Sequence, residues 1–317
     1  MTPLRLQISD DFWKDEPKTF VVHASRKRVW AVLLDLYAEF ARVCDKYGLR
    51  YCADSGTLIG ALRHQGMIPW DDDIDLLMPR SDYERLCEVA ATEFSFPYFW
   101  QTEATDPLSA RGHAQLRNSE TTGILKEEMF FERPLFSFNQ GLFIDIFPLD
   151  NVPDDLDERA IFCSRLQHLR EKIYATRLAY GYSRLSPLKL LRHPSWMWLW
   201  MKGWLFRFID LFAGKTCVTR LAARCETLAQ KYNDRPTRDC APVAFRPRRK
   251  PGEFYSVEGF NTLARVPFEM LEMPIPSHAE AMLKGQYGDW RRYVVEGTAH
   301  GGLLLDVDHS YTDYLDR

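Results

Sequence analysis

The chain has 317 residues, 46% of them hydrophobic, with 41 Lys and Arg against 44 Asp and Glu and a formal net charge of −3. That length and apolar content provide for a sizeable core, as one large domain or two fused ones, and exclude a disordered chain. The balanced charge gives no footprint for a nucleic acid: the basic stretch Arg246, Arg248, Arg249, Lys250 is short, Pro-interrupted and without interleaved aromatics, so it reads as a solvated loop or as a receiver for an anionic donor or acceptor.

Met1 to Trp13 lacks an apolar stretch, so no secretory leader is expected and the reading is cytoplasmic. From Arg26 to Tyr47, Val29, Leu33, Leu36, Phe40, Val43 and Tyr47 fall on one helical stripe, with Gly48 as the stop. A short apolar strand near 50–54 then runs through the small polar turn Asp54-Ser55-Gly56-Thr57 into the helical pattern Leu58, Ile59, Ala61, Leu62. Small residues at such a turn let backbone N–H groups approach a phosphate, which makes Gly56 and Thr57 candidates for a phosphate cradle; a plain turn capped by Ser55 or Thr57 is the alternative. Arg63 and His64 follow, either beside phosphates, which suit the planar fork of Arg, or as cations at a helix end.

Asp71, Asp72, Asp73 and Asp75 come next, among Ile68, Pro69, Trp70, Ile74, Leu76, Leu77 and Met78. Carboxylates this close repel one another and are costly to bury unpaired, so a bound cation is expected. A strand over 68–77 would set Asp71, Asp73 and Asp75 on one face and Ile74, Leu76 and Met78 on the other. Oxygen-only ligands suit magnesium or manganese, and sites that handle phosphates hold such ions with one or two carboxylates plus the substrate's own oxygens; the expected substrate is a phosphate ester. An EF-hand loop is set aside because Leu76 stands where Gly is needed and Asp82 where Glu is needed. A solvated acidic turn, a nucleotide-sugar glycosyltransferase with a DxD metal site, and a non-catalytic relative that binds a glycan stand as alternatives.

Ser81 with Glu84 reads as a capping box opening a helix near 82, and strands are expected near 97–101, 112–117 and 141–147. Arg117, in HAQLRNSETT, either reaches a nucleotide or is structural. Asp145 interrupts the apolar run GLFIDIF, a pattern that is costly in a core without a cation; a strand-end cap is the alternative. After Pro153 the chain reads as mainly helical to residue 233. Within that part, residues 195–212 place Trp198, Trp200, Met201, Trp204, Leu205, Phe208, Ile209, Leu211 and Phe212 on a broad apolar arc, with Lys202, Arg207 and Asp210 opposite. The segment is too short and too charged to span a membrane; it docks on the rest of the protein or on a second subunit, or it lies in the inner membrane interface with Lys189, Arg192 and His193 just upstream. Seven scattered cysteines without a CxxC pair read as reduced, packed thiols with no zinc pattern.

The stretch GTLIGALRHQGMIPWDDDIDLLMPRSDYERL, residues 56–86, resembles the signature of the LicD family of phosphocholine transferases, which decorate bacterial surface polysaccharides and are distantly related to fukutin and fukutin-related protein. GLFIDIFPLD, residues 141–150, resembles the family's later acidic strand, and LKGQYGDW, residues 283–290, its C-terminal segment around Tyr287, Gly288 and Asp289. The resemblance implies an α+β, nucleotidyltransferase-like fold: a mixed sheet with flanking helices, a catalytic core over 1–150, and a mainly helical portion over 151–317 that completes the active site and the acceptor side. It implies Asp73 and Asp75 as paired metal ligands and Asp145 as the third carboxylate. The activity it implies is magnesium-dependent transfer of phosphocholine from CDP-choline to a hydroxyl of a cell-surface glycan, with CDP-ribitol or CDP-glycerol as other donors. Asp145 is the expected base and Asp71 the alternative, and the segment at Tyr287 either binds ligand or closes the fold.

Overall fold

The computed structural model describes residues 3–14, 20–131, 133–190, 194–247, 249–294 and 302–315; Arg192, His193 and Arg248 lie outside them, as do the side chains of Lys189 and Ser195. Ala24–Tyr47 forms the first long helix, α1, and Gly48 ends it at φ +64°, a left-handed conformation in which a residue without Cβ is unstrained. Trp30 to Tyr37 is buried on every side. One face packs on the sheet. The other is closed by the amides of Arg5 and Leu6, which donate to Asp35 Oδ1 at 2.8 and 2.7 Å, and by Tyr37, whose hydroxyl donates to the Glu272 carbonyl. Each fully buried Leu or Phe of this helix contributes roughly 1.5–3 kcal/mol.

Next come the strand Cys52–Ala53 (β1), the helix Ser55–Arg63 (α2), the strand Asp75–Pro79 (β2) and the helix Arg80–Glu93 (α3). Two expectations are corrected here. The strand begins at Asp75, not at 68, because α1 takes the carbonyls that a strand partner would need: Arg26 donates to those of Trp70 and Asp71, and Trp30 Nε1 to that of Asp71. The preceding residues keep a strand-like burial alternation, with Asp72 and Ile74 buried and Asp71, Asp73 and Asp75 half-buried. The capping box at Ser81 and Glu84 does not form. β2 leads directly into α3 with Pro79 at the cap, so Ser81 already lies in the first turn, and Arg80 is drawn into a buried bidentate pair with Asp150 at 2.7 and 2.6 Å.

With Tyr98–Gln101 (β3), Ala114–Asn118 (β4) and Leu142–Asn151 (β5), the sheet runs β1-β2-β5-β4-β3, parallel between β2 and β5 and antiparallel elsewhere. A parallel neighbour requires a long crossover, which α3, β3 and β4 supply. The helices Leu156–Tyr182 (α4), Pro194–Ala213 (α5) and Cys217–Ala229 (α6) follow, with α4 packed on both others around a second core that holds Phe162, Leu166, Ile173 and Tyr180. Asp239–Ala241 (β6) and Tyr255–Ser256 (β7) extend the sheet from the far end of β5. A hairpin of Leu263–Phe268 (β8) and Leu271–Pro276 (β9) and the helix Ala279–Tyr287 (α7) then return to the first core through Phe268, Met273, Met282 and Leu283. The fold is α+β, with a mixed sheet flanked by helices and a mainly helical stretch after β5. All seven cysteines are free thiols.

The tryptophan-rich helix α5 meets α4 by its narrow side only. Gly203 lies against the Ala179 carbonyl, where a Cβ would stand 2.0 Å from the oxygen, Phe206 stacks on Tyr180, and Asp210 accepts the Tyr180 hydroxyl. Among the described residues, no helix is long and apolar enough to cross a membrane.

Candidate active site

The parallel register of β2 and β5 sets Asp75 opposite Asp145, on neighbouring strands that pack about 4.8 Å apart. Three backbone bonds fix the pair. The Asp145 amide donates to the Ile74 carbonyl at 2.9 Å, the Asp75 amide to Thr57 Oγ1 at 2.9 Å, and the Asp54 amide to the Asp75 carbonyl at 3.0 Å. Just before the strand, ligand oxygens of Asp71, Asp72 and Asp73 lie within 4.8 Å of one another. Gly56 makes room for Asp71, since a Cβ there would stand 2.6 Å from Asp71 Oδ2.

The electrostatics follow from this crowding. Burial, then repulsion from Asp73, holds the Asp71 carboxyl above the ordinary range. Burial likewise raises Asp73, with Asp145 and Asp72 adding to it and a hydrogen bond from Asp71 opposing it. Asp75 is also raised well above its usual value, by burial and then by Asp73, Asp145 and Asp54. The donor set is oxygen-only, which suits magnesium or manganese, and a cation of that kind would relieve the burial and repulsion that now oppose ionisation. Asp71, Asp72 and Asp73, whose oxygens lie within 4.8 Å of one another, fit such an ion, with Asp75 and Asp145 adding negative charge beside them.

A second set of side chains orients Asp145, which is 4% exposed. Gln115, opposite it on β4, donates Nε2 to Asp145 Oδ1 at 2.7 Å, and His113 Nε2 meets the same oxygen at 2.9 Å. Burial keeps His113 below its usual pKa, so the neutral ring donates from Nε2. Its ring packs against Phe147 and Phe245, with centroids 4.5 and 4.8 Å away. Arg117 is wholly buried and donates to Gln101, to the Gly141 carbonyl and to the Gln115 amide oxygen, which orients the Gln115 NH2 toward Asp145.

Two cavities flank the carboxylates and share Phe245. The larger, about 540 Å³, has His113, Gln115 and Asp145 at one end and Lys126, Arg111, Arg170, Arg177 and Tyr174 around it. Arg111 and Arg177 both bond the buried Glu128, and Arg170 donates to the Ala110 carbonyl at 2.9 Å. The Arg111 Nε is buried without a hydrogen-bond partner. The smaller cavity, about 150 Å³, is lined by Asp54, Asp75, Arg246, Arg249 and the rings of Phe147, Tyr255 and Tyr287. Tyr255 and Gln286 both donate to Asp54 Oδ1, at 3.3 and 3.1 Å.

The residues singled out from the sequence fall into three groups. Asp71 and Asp73 gather with Asp72, their ligand oxygens within 4.8 Å of one another, while Asp75 and Asp145 pair across β2 and β5 and meet that group through charge; Gly56 lies against Asp71, and Thr57 bonds the Asp75 amide. Arg117 stands one step behind, acting on Asp145 through Gln115. Arg63 and His64 line neither cavity: the Arg63 guanidinium bonds the carbonyls of Trp290 and Arg292, stacks on Tyr293, and faces with His64 a separate cavity of about 410 Å³. Sequence reasoning passed over Asp54, His113, Gln115 and the three cavity arginines. The alternation of His113, Gln115 and Arg117 on one strand face was the available signal.

Residues 48–167 match the LicD/FKTN/FKRP nucleotidyltransferase domain. The chain is 32% identical over 142 residues to the lipopolysaccharide cholinephosphotransferase LicD of Haemophilus influenzae, a stretch covering 45% of this chain and 50% of that protein. It is also 39% identical over 57 residues to an uncharacterised protein of Rickettsia prowazekii, covering 18% of this chain and 21% of that one. The matched stretches thus span half or less of these relatives' own lengths.

Proposed function

Because this chain carries a LicD-family nucleotidyltransferase domain over residues 48–167, we propose that it transfers a phosphoalcohol, phosphocholine first, from a CDP-linked donor to a hydroxyl of a cell-surface glycan or its precursor. The observation that carries the reading is the pairing of Asp75 with Asp145 between two cavities, the larger lined by Arg111, Arg170 and Arg177 and the smaller by Arg246 and Arg249. Asp73, Asp75 and Asp145 would hold a magnesium or manganese ion; bound there, it would supply positive charge to the donor diphosphate and to the departing nucleotide.

The chain's own residues do the rest. Arg111, Arg170 and Arg177 receive phosphate oxygens in the larger cavity, where Tyr174 and Phe245 offer faces to a base. His113 and Gln115 keep Asp145 turned by holding one oxygen. The acceptor hydroxyl forms a new O–P bond as the bond to CMP breaks, and its proton passes to a carboxylate. Asp71 is the better placed for this, since it is less buried than Asp145 and does not share that residue's two donors on one oxygen. Positioning and charge supply most of the rate, as is usual for phosphoryl transfer.

The rings of Phe147, Phe245 and Tyr287, close to Asp54 and Asp75, support choline over ribitol or glycerol, because a quaternary ammonium is recognised by aromatic faces with a carboxylate nearby; the Tyr255 ring already faces the Arg249 guanidinium. The test is a thermal-shift and CMP-release comparison of CDP-choline, CDP-ribitol, CDP-glycerol and CMP, with and without magnesium. CDP-choline should stabilise the protein only with metal present and release CMP when a glycan acceptor is added. Equal stabilisation by CMP alone would leave the alcohol unread, and metal-independent turnover would remove the mechanism.

A further inference from the structure

The helix α5 presents to solvent what a packed helix would bury. Trp198, Trp204, Leu205, Phe208, Leu211 and Phe212 are each 51–80% exposed. On a helix of 3.6 residues per turn they share an arc of roughly 140°. Lys202 stands at one edge of that arc, its ammonium 4.2 Å from the Trp198 ring centroid, and Arg207 at the other, bonded to Ser183 Oγ at 2.7 Å. The one acid of the helix, Asp210, is turned inward to Tyr180 and the Cys217 amide.

Charge singles out the occupant. From Lys172 to Ile209 the sequence has no Asp or Glu; Arg177 is buried against Glu128, but Lys172, Arg184, Lys189, Arg192, Lys202 and Arg207 remain, in a chain whose net charge is −3. A second copy meeting this face across a two-fold axis would bring basic rim against basic rim. An anionic lipid surface complements both features, the rim by its headgroups and the arc by its acyl chains, and Trp favours that boundary.

We propose that α5 lies in the interface of an anionic bilayer, parallel to its plane, and anchors the protein there without spanning it. The anchor is built into the site's scaffold, because α4, which supports α5 at Ala179 and Tyr180, also supplies Arg170, Tyr174 and Arg177 to the larger cavity. Docking through α5 therefore holds that cavity near the membrane surface. The proposal stands on α5 and the basic segment that leads into it and does not depend on which group is transferred.

The experiment is flotation of the full chain with vesicles of phosphatidylcholine alone or mixed with phosphatidylglycerol, at low and high salt, beside the variant Leu211→Glu/Phe212→Glu and a sedimentation measurement of oligomeric state. Both substituted side chains are about four-fifths exposed, so the fold should hold. The wild-type chain should float with the anionic vesicles and less at high salt, and the double variant should bind at least about tenfold more weakly. Wild-type protein that stays below the anionic vesicles overturns the proposal whatever the variant does. So does a wild-type dimer that the variant turns into a monomer without any vesicle binding, which would make the arc a subunit interface.

Discussion

Gln115 and Asp145 face each other across two antiparallel strands, and the amide of the first holds one carboxylate oxygen of the second at 2.7 Å while Arg117 fixes which end of that amide points forward. A partner of this kind sets the direction and basicity of a ligand without touching the substrate. Replacing Gln115 with Leu should weaken manganese binding, followed by titration calorimetry or paramagnetic resonance, by roughly 10- to 100-fold. Affinity equal to wild type would show that Asp145 needs no such support.

Asp75→Asn removes one charge from a cluster in which burial and neighbours oppose ionisation. Turnover should be lost almost completely with the circular dichroism spectrum unchanged. The metal-free melting temperature should rise, because the cost of burying and crowding that carboxyl is gone, and the upward shift on adding magnesium with CDP-choline should disappear. A variant that keeps wild-type kcat would remove Asp75 from the mechanism.

Glu128 lies between Arg111 and Arg177 beneath the larger cavity. Burial pushes its carboxyl up, but the two guanidinium groups more than reverse this and hold it down at about 2, against an ordinary 4.5. A depressed acid stabilises the fold above its unfolded pKa and loses that contribution as pH falls through the folded value. About 3 kcal/mol should therefore drain away between roughly pH 4.5 and 2. Denaturant unfolding across that range should show the loss, and Glu128→Gln should flatten it while destabilising the protein at pH 7 by about 3–5 kcal/mol.

Gly56→Ala would place a methyl against the end of the Asp71 side chain, at 2.6 Å from its oxygen. The carboxylate can swing aside, so stability should change little. Its position in the cluster cannot survive the swing, and kcat should fall by on the order of tenfold with KM for the donor less affected. An unaltered kcat would mean that the placement of Asp71 does not matter to turnover.

The stripe on α1 and the lone acid in GLFIDIF are legible in one dimension because each rests on a local period, 3.6 for the helix and 2 for the strand. The start of β2 is not. Apolar residues flank Asp71 to Asp73 on both sides, so the run reads as a strand, and only Arg26 and Trp30, more than forty residues earlier, keep that stretch out of the ladder. Arg63 shows the converse. Its neighbours in sequence suggest phosphate, but carbonyls at Trp290 and Arg292 claim it, and no local pattern announces a contact over 227 residues. The cavity arginines have the same difficulty: Arg111 comes from the approach to β4 and Arg170 and Arg177 from α4, so their convergence exists only once the helix is docked. On α5, the sequence displays the apolar arc plainly but not its exposure, because a docked helix and an interfacial one share the same spacing.

The return of Tyr255, Gln286 and Tyr287 to the neighbourhood of Asp54 has a bearing on how the protein is made. A nascent chain that has emerged as far as β6 already displays every acid of the cluster, yet the wall that narrows the smaller cavity is still inside the ribosome.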